Sequence, residues 1–148
     1  MKTKDTVSTL NDLIQINKDG QEGFKDASEN VKNPELKTLF AKYSLQRSKF
    51  AGDLQQHVTE FGEEPEKDSS MAGAIHRGWI DLKTAFTKGD DHSILVECER
   101  GEDYAVEAYN DAIDAELPAN LRVLVEEQAA MVTATHDDMR DRRDAAAE

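Results

Sequence analysis

Apolar side chains recur along this chain at three- and four-residue steps, the spacing of one face of an α-helix. From Val7 the first such run continues through Leu10, Leu13, Ile14, Phe24, Ala27 and Val31, with Asn17 and Gln21 where further apolar residues are expected. The triplet Asn33, Pro34, Glu35 then supplies an N-cap, a proline suited to the first helical position and an early acid, so a second helix starts after a very short turn. Its stripe is Leu36, Leu39, Phe40, Tyr43, Gln46, Phe50, Leu54, Val58 and Phe61, and Gly62 ends it. Gln46 is the polar interruption there. Two long helices joined so tightly are antiparallel neighbours.

After the linker EEPEKD, the positions Ala72, Ile75, Trp79, Leu82 and Phe86 predict a shorter third helix that begins at Ser69 or Ser70 and stops at Gly89. Asp90 or Asp91 can cap the fourth, whose stripe is Leu95, Cys98, Ala105, Ala108, Tyr109 and Ala112, with Glu99 and Glu102 on or beside it. Pro118 opens the fifth, with Leu121, Leu124, Val125, Gln128, Val132 and Met139 facing inward. No comparable segment alternates with period two, so the expected class is all-α. Four patterns are about 26 to 29 residues long, roughly 40 Å each, and the third is about 18, roughly 27 Å. A short helix returning along the bundle makes the second and fourth helices parallel, the one-crossover arrangement of a four-helix bundle.

Composition adds limits. The chain has 148 residues, suited to a single domain spanning 1–148, and its 33% charged residues are spread at helical intervals, as on solvated outer faces. With 31 acidic against 18 basic residues the net charge is −13, a field that repels phosphate backbones, so no nucleic-acid partner is expected. Arg140, Arg142 and Arg143 are interspersed with aspartates and suit the last turns of a helix. One cysteine, an N-terminus without an apolar signal segment and no long apolar run lead to the expectation of a cytoplasmic protein with no membrane partner.

Buried amides can both donate and accept hydrogen bonds, so Asn17, Gln21, Gln46 and Gln128 form a candidate polar layer in the core, able to satisfy Glu99 or Glu102 without metal. Alternatively Glu99 and Glu102, at i and i+3, share a hard divalent cation with amide oxygens and water. Trp79 is expected on a packed face with Arg77 toward solvent or an acid, and Arg100 as a partner for Glu97 or Glu99. Cys98 falls on the inner stripe, where a thiol is a small buried side chain, and His57, His92 and His136 form no triad visible in sequence, so no catalytic residue is assigned.

The motifs LNDLIQIN (Leu10 to Asn17), HRGW (His76 to Trp79) and ECERGED (Glu97 to Asp103) resemble those of an uncharacterised bacterial family of ferritin-like proteins, a domain of unknown function numbered 2383. The resemblance covers nearly the whole chain. It implies a ferritin-like four-helix bundle, with the shorter crossover helix between the second and third long helices, found in stress-tolerant bacteria and without established activity.

Ferritin-like di-iron centres take a glutamate from each of two helices and a Glu-x-x-His pair from each of the other two. Three residues before His57, His76, His92 and His136 stand Leu54, Gly73, Gly89 and Thr133, so that motif is absent. Laid on the superfamily pattern, the ligand positions fall on Asn17, on Gln46 and Lys49, and on Glu127 and Ala130, leaving Glu99 or Glu102 on helix four. The expectation is therefore a non-enzymatic, stress-associated structural or interaction protein with its metal chemistry lost and no cofactor, able to form a homodimer through an outer helix face. The alternative is a divalent-metal protein using Glu99, Glu102 and Glu127 with nearby amides, with oxidase or storage activity.

Overall fold

The computed structural model describes residues 3–63, 79, 85–87 and 90–147. They form four long helices, α1 (Thr3–Asn30), α2 (Pro34–Glu60), α3 (Asp91–Asp114) and α4 (Ala119–Ala147), with no strand among the described residues. Most of the shorter helix expected before α3, including His76 and Arg77, lies outside the described residues, while Trp79 and 85–87 are helical. No helix among those described is long and apolar enough to cross a membrane.

The helix ends follow their local chemistry. Asn33 caps α2, its side-chain oxygen accepting from the amides of Glu35 (2.8 Å) and Leu36 (3.4 Å), with Pro34 in the first turn. Phe61 and then Gly62, at φ 79°, end α2, which leaves Phe61 37% exposed where the stripe predicted burial: the residue has left the packed turn. Asp90 caps α3 by accepting from the Ser93 amide at 2.7 Å. Asp91 accepts from the amides of Lys32 and Asn33 at 2.8 and 3.0 Å, pinning the α1–α2 turn to the start of α3.

Cross-links fix the helix directions. Ser28 donates to the Lys37 carbonyl and Ser44 to that of Gln21, so α1 and α2 are antiparallel. Tyr109 reaches Gln128 and Asp103 reaches His136, so α3 and α4 are antiparallel as well. Asn17 meets Tyr109, and Lys32 meets Asp91, so α1 and α3 are too. Helices α2 and α3 consequently run in the same direction, as the helix lengths predicted.

Packing divides the interior in two. Toward one end, Leu10, Leu13, Phe50, Leu54, Leu121 and Val125 belong to one apolar cluster; toward the other, Phe24, Phe40, Ile94, Leu95 and Met139 belong to a second. Trp79 packs edge-on to Phe24, ring centres 5.2 Å apart. Its indole occupies the space that a Cβ on either Gly23 or Gly101 would fill, so the missing side chains of α1 and α3 are what admit it. The expectation that Trp79 is a packing anchor holds.

Candidate functional site at the waist of the bundle

Polar residues occupy the boundary between the two apolar clusters. Arg47 of α2 is completely buried, and so is Glu102 of α3. The guanidinium donates from Nη1 to Glu102 Oε1 at 2.6 Å and from Nη2 to Oε2 at 2.5 Å, a two-pronged charge-assisted pair. Its Nε donates to Gln46 Oε1 at 3.3 Å, Gly20 of α1 faces its stem, and its Cζ lies 5.5 Å from the centre of the Phe24 ring.

A neutral relay runs beside this pair. Asn17 Nδ2 donates to the Tyr109 hydroxyl at 2.7 Å and to the Leu13 carbonyl at 2.8 Å, and Tyr109 donates to Gln128 Oε1 at 2.7 Å. Gln128 Nε2 approaches the Phe50 carbonyl at 3.5 Å, so side chains of α1, α3 and α4 and the backbone of α2 are linked in series. Burial above all raises the Tyr109 pKa, although the Asn17 hydrogen bond and the Arg47 charge pull the other way. The phenol therefore stays protonated and keeps donating.

The structure sorts the candidates read from the sequence. Asn17 and Gln128 lie in the layer. Gln21 and Gln46 are only half-buried, the latter reaching the layer through Arg47. Glu99, Glu102 and Glu127 do not converge on one site: Glu102 is held by Arg47, Glu127 is exposed on α4, and Glu99 turns to the α3–α4 surface. The partner of Glu102 is thus a guanidinium that matches both its oxygens, where an amide or a shared cation was expected.

That α3–α4 surface carries the second cluster. Glu99, Asp103 and His136 bring ligand atoms within 4.8 Å of one another. His136 Nε2 lies 2.5 Å from Asp103 and 3.9 Å from Glu99, its Nδ1 lies 3.1 Å from Asp137, and Arg143 donates to Glu99. Partial burial pulls the His136 pKa down, but the hydrogen bonds to Asp137 and Asp103 and the Glu99 charge outweigh it and raise the value. Burial first, then the charges of Glu102 and Glu97, push the Cys98 thiol well up, so it is a packed thiol as expected. Arg100 pairs with Glu97 at 3.5 Å, the ordinary ion pair anticipated.

The waist residue of α2 is Arg47 and not the neighbouring candidate Gln46, and the sequence carries the signal: Phe40, Tyr43, Arg47, Phe50 and Leu54 follow an unbroken alternation of three- and four-residue steps. His136 gains Asp103 and Glu99 from α3, a meeting that the sequence of α4 alone does not show.

The model of a family described as a domain of unknown function (DUF2383) matches residues 5–115, from the first turns of α1 to the end of α3. The chain belongs to this family. The match takes in Asn17, Arg47, Glu102 and Tyr109, so most of the waist lies inside the family domain, while Gln128 and His136 lie beyond it. No curated protein matches the chain.

Proposed function

We propose that this chain is a ferritin-like bundle in which an ion pair stands at the position of the metal centre, and that it acts as a structural or interaction protein, stress-associated as the family resemblance implies. The parallel course of α2 and α3 supports the one-crossover connection. One observation carries the functional reading: the waist carboxylate, Glu102, is bound at both oxygens by Arg47. A di-iron centre requires several carboxylates and imidazoles facing one another, and here the other waist positions supply Asn17, Tyr109, Gln128 and a cation. The donor set does not fit that centre. It fits a rigid, neutralised core.

The Glu99, Asp103 and His136 cluster favours a second reading, divalent-metal binding at the α3–α4 surface, with Arg143 as a competing cation for Glu99. Titration of Fe(II), Mn(II) and Zn(II) into the wild type, Arg47→Met/Glu102→Leu and His136→Ala, each checked for folding by circular dichroism, separates the two. The first reading expects no stoichiometric metal that depends on Glu102, and metal lost specifically from the Arg47/Glu102 double variant overturns it. Stoichiometric metal retained in that variant and lost from His136→Ala establishes the second.

A further inference from the structure

Glycines on α1 and α3 make room for two large side chains at the waist. The Trp79 indole takes the space beside Gly23 with its Cε3 edge and the space beside Gly101 with its Cε2 edge, so one ring lies on the bare backbone of both helices. One turn before Gly23, Gly20 leaves open the space that Arg47 fills, with the Arg47 Cγ and Nη1 each 3.5 Å from where its Cβ would stand. On α3, Gly101 directly precedes Glu102. Indole and ion pair are therefore neighbours along both helices.

Phe24 joins them from inside. Its ring is fully buried, the indole meets it at 72° with centres 5.2 Å apart, and the Arg47 Cζ lies 5.5 Å from its centre. Tyr43 and Phe40 pack on the same ring, centres 5.4 and 6.0 Å away. A ring enclosed in this way cannot shift without moving a neighbour, because a close-packed interior passes displacements on. Trp79 is the half-buried member of the group, and it comes from the chain between α2 and α3.

We propose that Trp79 is a latch on the waist, held between α1 and α3 by the same ring that packs on Arg47, so that the indole and the ion pair form one cooperative unit. Disturbing the pair loosens the latch, and withdrawing the indole lets water reach the pair. The bundle thereby carries a route from its surface to its buried charges through Trp79 and Phe24. The inference rests on the ion pair of the functional reading but not on that pair standing in place of a metal centre, and metal at the α3–α4 surface leaves it unchanged.

Contact alone does not establish coupling, whereas a double-mutant cycle measures it. Trp79 is the one tryptophan of the chain, so intrinsic tryptophan fluorescence reports on the latch alone. In Arg47→Met/Glu102→Leu, shown folded by circular dichroism, the emission should move to longer wavelength and acrylamide should quench it more strongly than in the wild type. Leu54→Ala, which opens a cavity in the other apolar cluster, should do neither. In urea titrations followed by circular dichroism, Trp79→Leu should lower the midpoint of the wild type by about 0.5 M or more beyond its effect in the Arg47→Met/Glu102→Leu background. With the ion pair left in place, the guanidinium protons of Arg47, followed by NMR, should exchange with solvent faster in Trp79→Leu than in Leu54→Ala. An emission that stays put when the pair is replaced overturns the proposal, as do midpoint shifts that simply add or Arg47 protons that exchange no faster once the indole is gone. None of these results bears on the metal titration, so a failed latch is distinguishable from a failed functional reading.

Discussion

Glu99 and Glu102 are the same residue type one helical turn apart on α3, yet they inhabit different physics. Glu102 is fully buried against Arg47, with both oxygens matched by one planar cation. Glu99 is at the edge of the bundle, partly exposed, among Arg143, His136 and the exposed Asp103. The position on the helix decides which it is. Leu95, Cys98, Glu102, Ala105, Tyr109 and Ala112 form the inner seam, and Glu99 stands one place off it. The buried pair couples α2 to α3 in the core, whereas the cluster joins α3 to α4 at the surface.

The most demanding test removes one side of the buried pair. Arg47→Met leaves the Glu102 carboxyl in a dry core without its partner and should destabilise the fold by about 3–5 kcal/mol, read as a shift of the urea midpoint. Adding Glu102→Leu should recover most of the loss, since an apolar pair of similar volume often equals or exceeds a buried ion pair. If the double variant is no more stable than Arg47→Met alone, the two side chains do not act as a unit and the comparison with Glu99 collapses.

The same seam explains how much was legible in advance. Caps, stops and the parallel pair could be read because Asn33, Pro34, Gly62 and Asp90 act locally and helix length limits the wiring. The waist was half-legible. On α1 the seam passes through Leu10, Leu13, Asn17, Gly20 and Phe24, and on α4 through Leu121, Val125, Gln128 and Val132, so Asn17 and Gln128 belong to it while Gln21 and Glu127 do not. Applied strictly, three–four spacing separates Arg47 from Gln46 and Glu102 from Glu99. The pairing of Arg47 with Glu102, 55 positions apart, depends on how α2 and α3 face each other and is not written in either helix alone. His136 meeting Asp103 is invisible for the same reason.

A smaller effect is expected from the neutral relay. Tyr109→Phe keeps the ring in the core but leaves Asn17 Nδ2 with the Leu13 carbonyl only and Gln128 Oε1 without its donor. Stranding buried polar atoms in this way costs about 1–3 kcal/mol, less than stranding a charge. A loss equal to that of Arg47→Met would mean that charge is not what distinguishes the waist.

The surface cluster should show the smallest change, and one that depends on pH. His136 faces Asp103 and Glu99 from α3 and Asp137 on its own helix, while Arg143, also on α4, holds Glu99 and offsets part of the acid field. Because its folded pKa is raised above the ordinary value of about 6.5, its contribution to stability is complete below that pH and disappears as pH rises through the folded value. In chelator-treated protein, His136→Gln should lower the melting temperature by no more than about 3 °C at pH 5.5, and by less at pH 8.5. High salt should shrink the difference further, since Asp103 and Asp137 are open to water. A His136→Gln effect that grows with pH would reverse the sign of the linkage and place the imidazole in the cluster as a neutral group, with Arg143 alone balancing Glu99.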